Sequence, residues 1–210
     1  MNSDYYILED GEQTGPFSFD ELTDMELEIH TRVLSPYTEG WQDACDLPEL
    51  YPYFEAQGIY FPTGDNLASF WWRLLAYLID WVILYFVTQF IFIFLATRGI
   101  TFNIQSYDDL MKLPVSQILE LQLISSVPLI IYNSVCESSP MKGSVGKRIC
   151  RLVVVDIDGV GLNYPNALVR SIGKAFSIAI LYGGFLSIFF SEHRQALHDY
   201  LAKTYVVKRD

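Results

Sequence analysis

Basic residues are almost absent from the first third of the chain. Between Met1 and Asn66 there is one, Arg32, against fifteen carboxylates, and the other thirteen Lys and Arg lie from Arg73 onward. The formal charge of -11 therefore belongs to the N-terminal part. Such an acidic head is repelled by nucleic acid and by anionic lipid, which argues against either as its partner. Cysteine is scarce too: Cys45, Cys136 and Cys150 are odd in number, and their spacing supports neither a disulfide framework nor a Cys/His zinc site. A reducing cytosolic face fits them, and no metal is expected. The opening MNSDYYILEDGEQ lacks the basic and apolar regions of a cleavable signal, so insertion has to rely on the first spanning helix. Nothing resembles a nucleophile elbow or a Walker loop, and Gly143 to Lys147 lacks the glycine spacing of a phosphate loop, so neither an enzyme nor a cofactor is expected.

Apolar sequence, in contrast, is abundant: 51% of residues are hydrophobic and 15% aromatic, too many for an ordinary soluble chain of this size. Phe70 to Leu95 is an almost unbroken run, longer as a helix than the ~30 Å core of a bilayer. Arg73 and Asp80 interrupt it one heptad apart, on nearly the same face, with Ala76 between them. A second run, Ile118 to Val135, contains Glu120, Gln122, Ser125, Ser126 and Pro128, and can span only as a kinked, bundle-facing helix. Lys142, Lys147, Arg148 and Arg151 follow it, a basic cluster that places this loop in the cytoplasm. Leu152 to Val155 has strand composition before the Asp158-Gly159 turn. The third apolar stretch, Ala167 to Phe190, carries Arg170 and Lys174 early and Gly183-Gly184 centrally, where a helix breaks naturally. Three straight crossings would strand the basic C-terminus outside, against the positive-inside bias. The expectation is therefore a broken, re-entrant or interfacial third segment, both termini cytoplasmic, and Thr204 to Val207 paired with Leu152 to Val155.

The charged residues of this part admit two readings. Arg73 and Lys174 near helix ends can snorkel, and Asp80, too deep to do so, can be a static ion pair with either. The sharper reading is a cation or proton site of Asp80, Asn133 and Glu137, with Arg73 tuning the aspartate and Lys174 nearby. Arg194, His198 and Asp199 fall within six residues, a spacing that fits a structural pair better than a metal site. Asp199 is expected to bond the Lys147-Arg148 turn and lock the small sheet to the helices.

The N-terminal part reads as a small soluble module. Tyr5 to Leu8 has strand composition, a turn follows at Gly15-Pro16-Phe17, and Ser18 with Glu21 has capping-box spacing for a helix over Phe19 to Leu27. Thr31 to Leu34 reads as a second strand, and Trp41, Ala44, Leu47 and Leu50 close the core. Tyr5-Tyr6, Gly15-Pro16-Phe17, Leu22, Thr31, Val33, Trp41 and Leu47 occur in the order of the bacterial GYF-like domain, GYF domain 2, which residues 4 to 50 resemble. The resemblance implies an adaptor that binds a protein or a proline-rich peptide on aromatic side chains, here Tyr5, Tyr6, Phe17 and Trp41. The same aromatics also suffice to fill a core this small. This chain lacks the Gly-Tyr-Phe tripeptide itself.

From 67 to 207 the chain resembles the RDD family of bacterial membrane proteins. Arg73 and Asp80 in RLLAYLID, Gly143 to Arg148 with Leu152 to Val154, and Arg194 to Asp199 carry the likeness. The family's arginine and two aspartates correspond to Arg73, Asp80 and Asp199. The resemblance implies a role in transport, and the polar membrane face suggests an ion or small solute as what is moved.

The expected architecture is a soluble α+β domain over 1–50, a linker over 51–67, and a helical membrane domain over 68–210. That domain has two spanning helices, a third broken or re-entrant segment and a small cytoplasmic sheet. The expected protein is a multi-pass resident of the bacterial inner membrane, with lipid as its surroundings. It either transports, which with so few crossings predicts a homo-oligomer, or anchors an adaptor whose acidic head recruits a protein.

Overall fold

A computed structural model describes residues 4–9, 11–99, 114–179 and 187–209. The chain forms two compact units, Met1–Phe61 with Asp158–Val160, and Pro62–Ile157 with Gly161–Asp210.

The first unit is built on an antiparallel sheet of β1 (Tyr5–Glu9), β2 (Glu12–Phe17), β3 (Arg32–Leu34) and β4 (Gln42–Asp43), in the order β2-β1-β3-β4. Strand alternation turns Tyr5 and Ile7 into the core. Gly15 is obligatory at φ +134°, since a Cβ there would stand 2.8 Å from the Tyr5 carbonyl oxygen. Helix α1 (Phe19–Asp24) opens with the expected capping box: the Glu21 amide donates to Ser18 Oγ and the Ser18 amide to Glu21 Oε2. It ends earlier than the predicted Leu27, because Met25 is extended and the chain beyond is tied to Tyr53, whose hydroxyl donates to the Met25 carbonyl and accepts from the Leu27 amide.

Ala44, Leu47 and Leu50 are fully buried as expected, whereas Trp41 is half-buried. Of the stretch predicted as a linker, 51–67, residues up to Phe61 pack with this unit and those from Pro62 belong to the second. Tyr51–Ala56 forms helix α2, with Pro52 in its first turn, and Phe54 and Phe61 pack ring to edge at 5.2 Å within the core. Six residues are too few for periodicity to announce a helix; the burial of Phe54 is what holds it.

The second unit contains α3 (Phe70–Thr97), α4 (Val115–Ser138), α5 (Val145–Ile149), β5 (Leu152–Val155), α6 (Tyr164–Ala179), α7 (Leu197–Leu201) and β6 (Tyr205–Lys208). Among the described residues α3 is the one helix long and apolar enough to cross a bilayer. At 28 residues it is about 42 Å long, and it exposes large apolar side chains such as Trp81, Phe86 and Phe90, which a helix in a soluble core would bury. The predicted second run lies in α4, which is continuous through Pro128 but does not reach the same apolar character. The third begins in α6; the expected break at Gly183-Gly184 lies outside the described residues, as does the loop around Tyr107 to Asp109.

Strands β5 and β6 pair antiparallel, Val153 opposite Val207 and Val154 opposite Val206, in the predicted pairing. The sheet also gathers the entry to α3: the Ala68 amide donates to the Val206 carbonyl and the Lys208 amide to that of Asn66. Helix α5 lies against α3 through Gly146, where a Cβ would stand 2.1 Å from the Ala76 carbonyl oxygen. Only glycine permits that approach.

Candidate functional site

Five elements of the second unit bring a charged layer together. Helix α3 supplies Arg73 and Asp80, α4 supplies Tyr132, Asn133 and Glu137, α6 supplies Arg170 and Lys174, and the short α5 and α7 add Lys147, His198 and Asp199. Glu137 and Asp199 are fully buried, and each is surrounded by cations. Glu137 receives Lys147 at 2.5 Å and Arg170 Nη1 at 2.7 Å, and also pairs with Lys174. Asp199 receives Arg73 Nη1 at 2.5 Å and Arg170 Nε at 2.9 Å, with Arg170 Nη2 beside it. The Arg170 guanidinium, 1% exposed, thus bridges the two carboxylates with its planar fork. Burial alone would raise the Asp199 carboxyl, but the Arg170 guanidinium, with Arg73 beside it, holds it well below the usual carboxylate range. Burial pushes the neighbouring His198 imidazole down to about 3, against the pull of Asp199, so it is neutral at ordinary pH.

Asp80 differs from the reading that pairs it with Arg73 or Lys174. Its Oδ1 accepts from the Gly146 amide at 2.7 Å and from the Tyr132 hydroxyl at 2.8 Å, and that hydroxyl in turn accepts from the Val145 amide at 3.0 Å. Arg73 goes to Asp199 instead, and Lys174 goes to Glu137 and, at 3.2 Å, to Asn133 Oδ1. Asp199 likewise takes Arg73 and Arg170 rather than the Lys147-Arg148 turn. Lys147 reaches Glu137, Arg148 is exposed, and Arg194 donates to the Leu67 carbonyl at 2.8 Å. What the sequence divides into an intramembrane set and a cytoplasmic set is one layer. Arg170 and Tyr132 are the members that site reasoning missed. The signal for Arg170 was its place four residues before Lys174, one turn away on the same helical face.

A cavity of about 300 Å³ opens beside this layer, lined among the described residues by Arg73, Asp80, Asn133, Lys147, Arg170, Lys174 and His198, with apolar walls that include Phe70, Leu74, Leu129 and Val206. It combines charged side chains with an apolar boundary, a combination suited to binding a charged group and sheltering it from water.

In the first unit the predicted peptide-binding aromatics separate. Tyr5 is 2% exposed and belongs to the core, while Tyr6, Phe17 and Trp41 keep part of their surface. His30, Asp43 and Cys45, where no metal was expected, bring ligand atoms within 4.8 Å of one another. Arg32 Nε already meets Asp43 Oδ1 at 3.2 Å, and burial, with Asp46 and Asp43, raises the Cys45 thiol away from the thiolate form that binds metal. The trio carries no metal assignment.

An apolar helix exposed along its length, joined to a buried ionic layer and preceded by a small β-rich module, defines a membrane protein with an appended module. Residues 67–203 match the model of the RDD family, whose members are membrane proteins, and residues 5–50 match GYF domain 2. The chain belongs to the RDD family. A protein of Bacillus subtilis (strain 168) named "Uncharacterized protein YxaI" is 33% identical over 149 residues, covering 68% of this chain and 98% of the relative. No solved structure matches the chain.

Proposed function

We propose that the protein moves an ion or small charged solute across the bacterial cytoplasmic membrane by way of the charged cavity, with the GYF-like module recruiting or regulating through a protein contact. The observation that carries this is the cavity itself, where Asp80, Asn133, Lys147 and Lys174 face one space beside the apolar helix α3. Asp80 is the informative residue, because its contacts are hydrogen bonds from Gly146 and Tyr132 that an asparagine oxygen would also accept. Asp80→Asn therefore removes a charge while keeping an acceptor. In purified full-length protein reconstituted into vesicles, the wild type is expected to carry ion flux and Asp80→Asn to lose at least tenfold of it. Equal flux in the two would sink the transport reading.

A membrane-anchored adaptor without transport is the second reading. It is favoured by the ion pairs around Glu137 and Asp199, which suit a clamp that fixes helix packing, and by the surface left on Tyr6, Phe17 and Trp41. A monomer in a detergent-solubilised mass measurement favours the adaptor, since a pathway through so few helices calls for an oligomer. Neither reading assigns a catalytic residue.

A further inference from the structure

The charged layer has one cation more than it has carboxylates. Arg73, Lys147, Arg170 and Lys174 face Asp80, Glu137 and Asp199, with His198 neutral. At Arg73 a donor is left over: Nε reaches the Ala68 carbonyl and Nη1 reaches Asp199, but Nη2 is buried and has no hydrogen-bond partner among the described residues, whereas Arg170 Nη1 at least faces Glu137 Oε2 at 2.7 Å. A buried guanidinium nitrogen without an acceptor calls for one from outside the chain. The formal excess of cations sets its sign, negative.

Two further observations decide what carries that charge. The cavity walls are apolar, Phe70, Leu74, Leu129, Ile188 and Val206 among them, which is poor lodging for a small hydrated anion. The cavity also lies at the first turns of α3, where Trp71 is 70% exposed and Trp72 is 39% exposed with the Lys208 ammonium 4.2 Å from its ring centroid. Exposed tryptophan and lysine at the end of a spanning helix mark headgroup depth. We infer that the cavity holds the phosphodiester of an anionic phospholipid, its oxygens at Arg73 and the start of its acyl chains against the apolar walls at Phe70, Leu74 and Leu129. Basic pockets between membrane helices take headgroups by this chemistry. The inference does not rest on transport: a chain without flux that retains lipid upholds it.

The test is native mass spectrometry of the full-length protein from micelles holding equal amounts of phosphatidylglycerol and phosphatidylcholine. Wild type is expected to retain one phosphatidylglycerol per chain, about fivefold over phosphatidylcholine, the factor for one uncompensated basic group. Leu129→Trp, which fills the cavity and removes no charge, is expected to lose the retained lipid with its unfolding temperature nearly unchanged. Equal retention of the two lipids by wild type overturns the proposal, as does undiminished retention by a folded Leu129→Trp. Displacement of the lipid by excess inorganic phosphate assigns the site to a free anion and overturns it too. Should Leu129→Trp fail to fold, lipid preference and phosphate competition in the wild type decide alone.

Discussion

Gly146 fixes more of the charged layer than any of the charges do. Its missing side chain lets α5 close on the Ala76 carbonyl of α3, and its amide then reaches Asp80 while the next residue, Lys147, reaches Glu137. A methyl group there would have to push the two backbones apart, breaking both contacts. Gly146→Ala is expected to destabilise the second unit by about 3 kcal/mol, read as a lowered unfolding temperature in detergent. Gly64→Ala, where a Cβ meets nothing within 4 Å, is the control and is expected to be neutral. An unchanged transition for Gly146→Ala would show that the approach is not tight. In the sequence this glycine was visible only as one of a Gly-Ser-Val-Gly-Lys-Arg string. Arg170 was legible as a charge in an apolar stretch, but its partners, 33 residues before it and 29 after it, are set by tertiary packing that no spacing encodes. Asp80 was legible as buried, and its partners were misread because backbone amides and a tyrosine hydroxyl leave no charge pattern in the sequence.

At the scale of elements, what could be read was what repeats or caps. The apolar run gave α3, the Ser18-Glu21 spacing gave α1, and the β-branched run Leu152 to Val155 gave β5 and its pairing with β6. Helix α2 escaped, since Pro52 and three aromatics in six residues look like a linker until the hydrophobic core that needs them is known. Phe54 is fully buried and packs on Phe61, so α2 belongs to the fold of the acidic module rather than tethering it. Phe54→Ala in the full chain is expected to cost the first unit about 3 kcal/mol. Amide hydrogen exchange should then accelerate over β1 and β3 while α3 and β5 keep their protection. Unchanged exchange in β1 would return residues 51–61 to the status of a linker.

At the scale of the whole molecule, the small sheet constrains the path of the chain through the membrane. Asn66 and Ala68, which lead into α3, are hydrogen-bonded to the strand Tyr205–Lys208, and that strand is paired with Leu152–Val155. Segments joined by backbone hydrogen bonds lie on one side of a bilayer, because a sheet cannot be divided by hydrocarbon. If α3 crosses, the chain must therefore return before Leu152 and end where it began after any excursion by the third apolar stretch, which makes the number of crossings even. The basic residues beside this sheet, Lys142, Arg148, Arg151 and Lys208, favour the cytoplasm as that side. Because no apolar run of spanning length lies between Met1 and Asn66, the same side is expected for the N-terminus. Paired reporters fused ahead of Met1 and after Asp210, one active only in the cytoplasm and one only outside it, are expected to signal from the cytoplasm at both ends. A reporter after Asp210 that signals from outside would mean that the β5–β6 pairing does not persist in the inserted protein, and with it the closing of the charged layer by Asp199 would have to be abandoned.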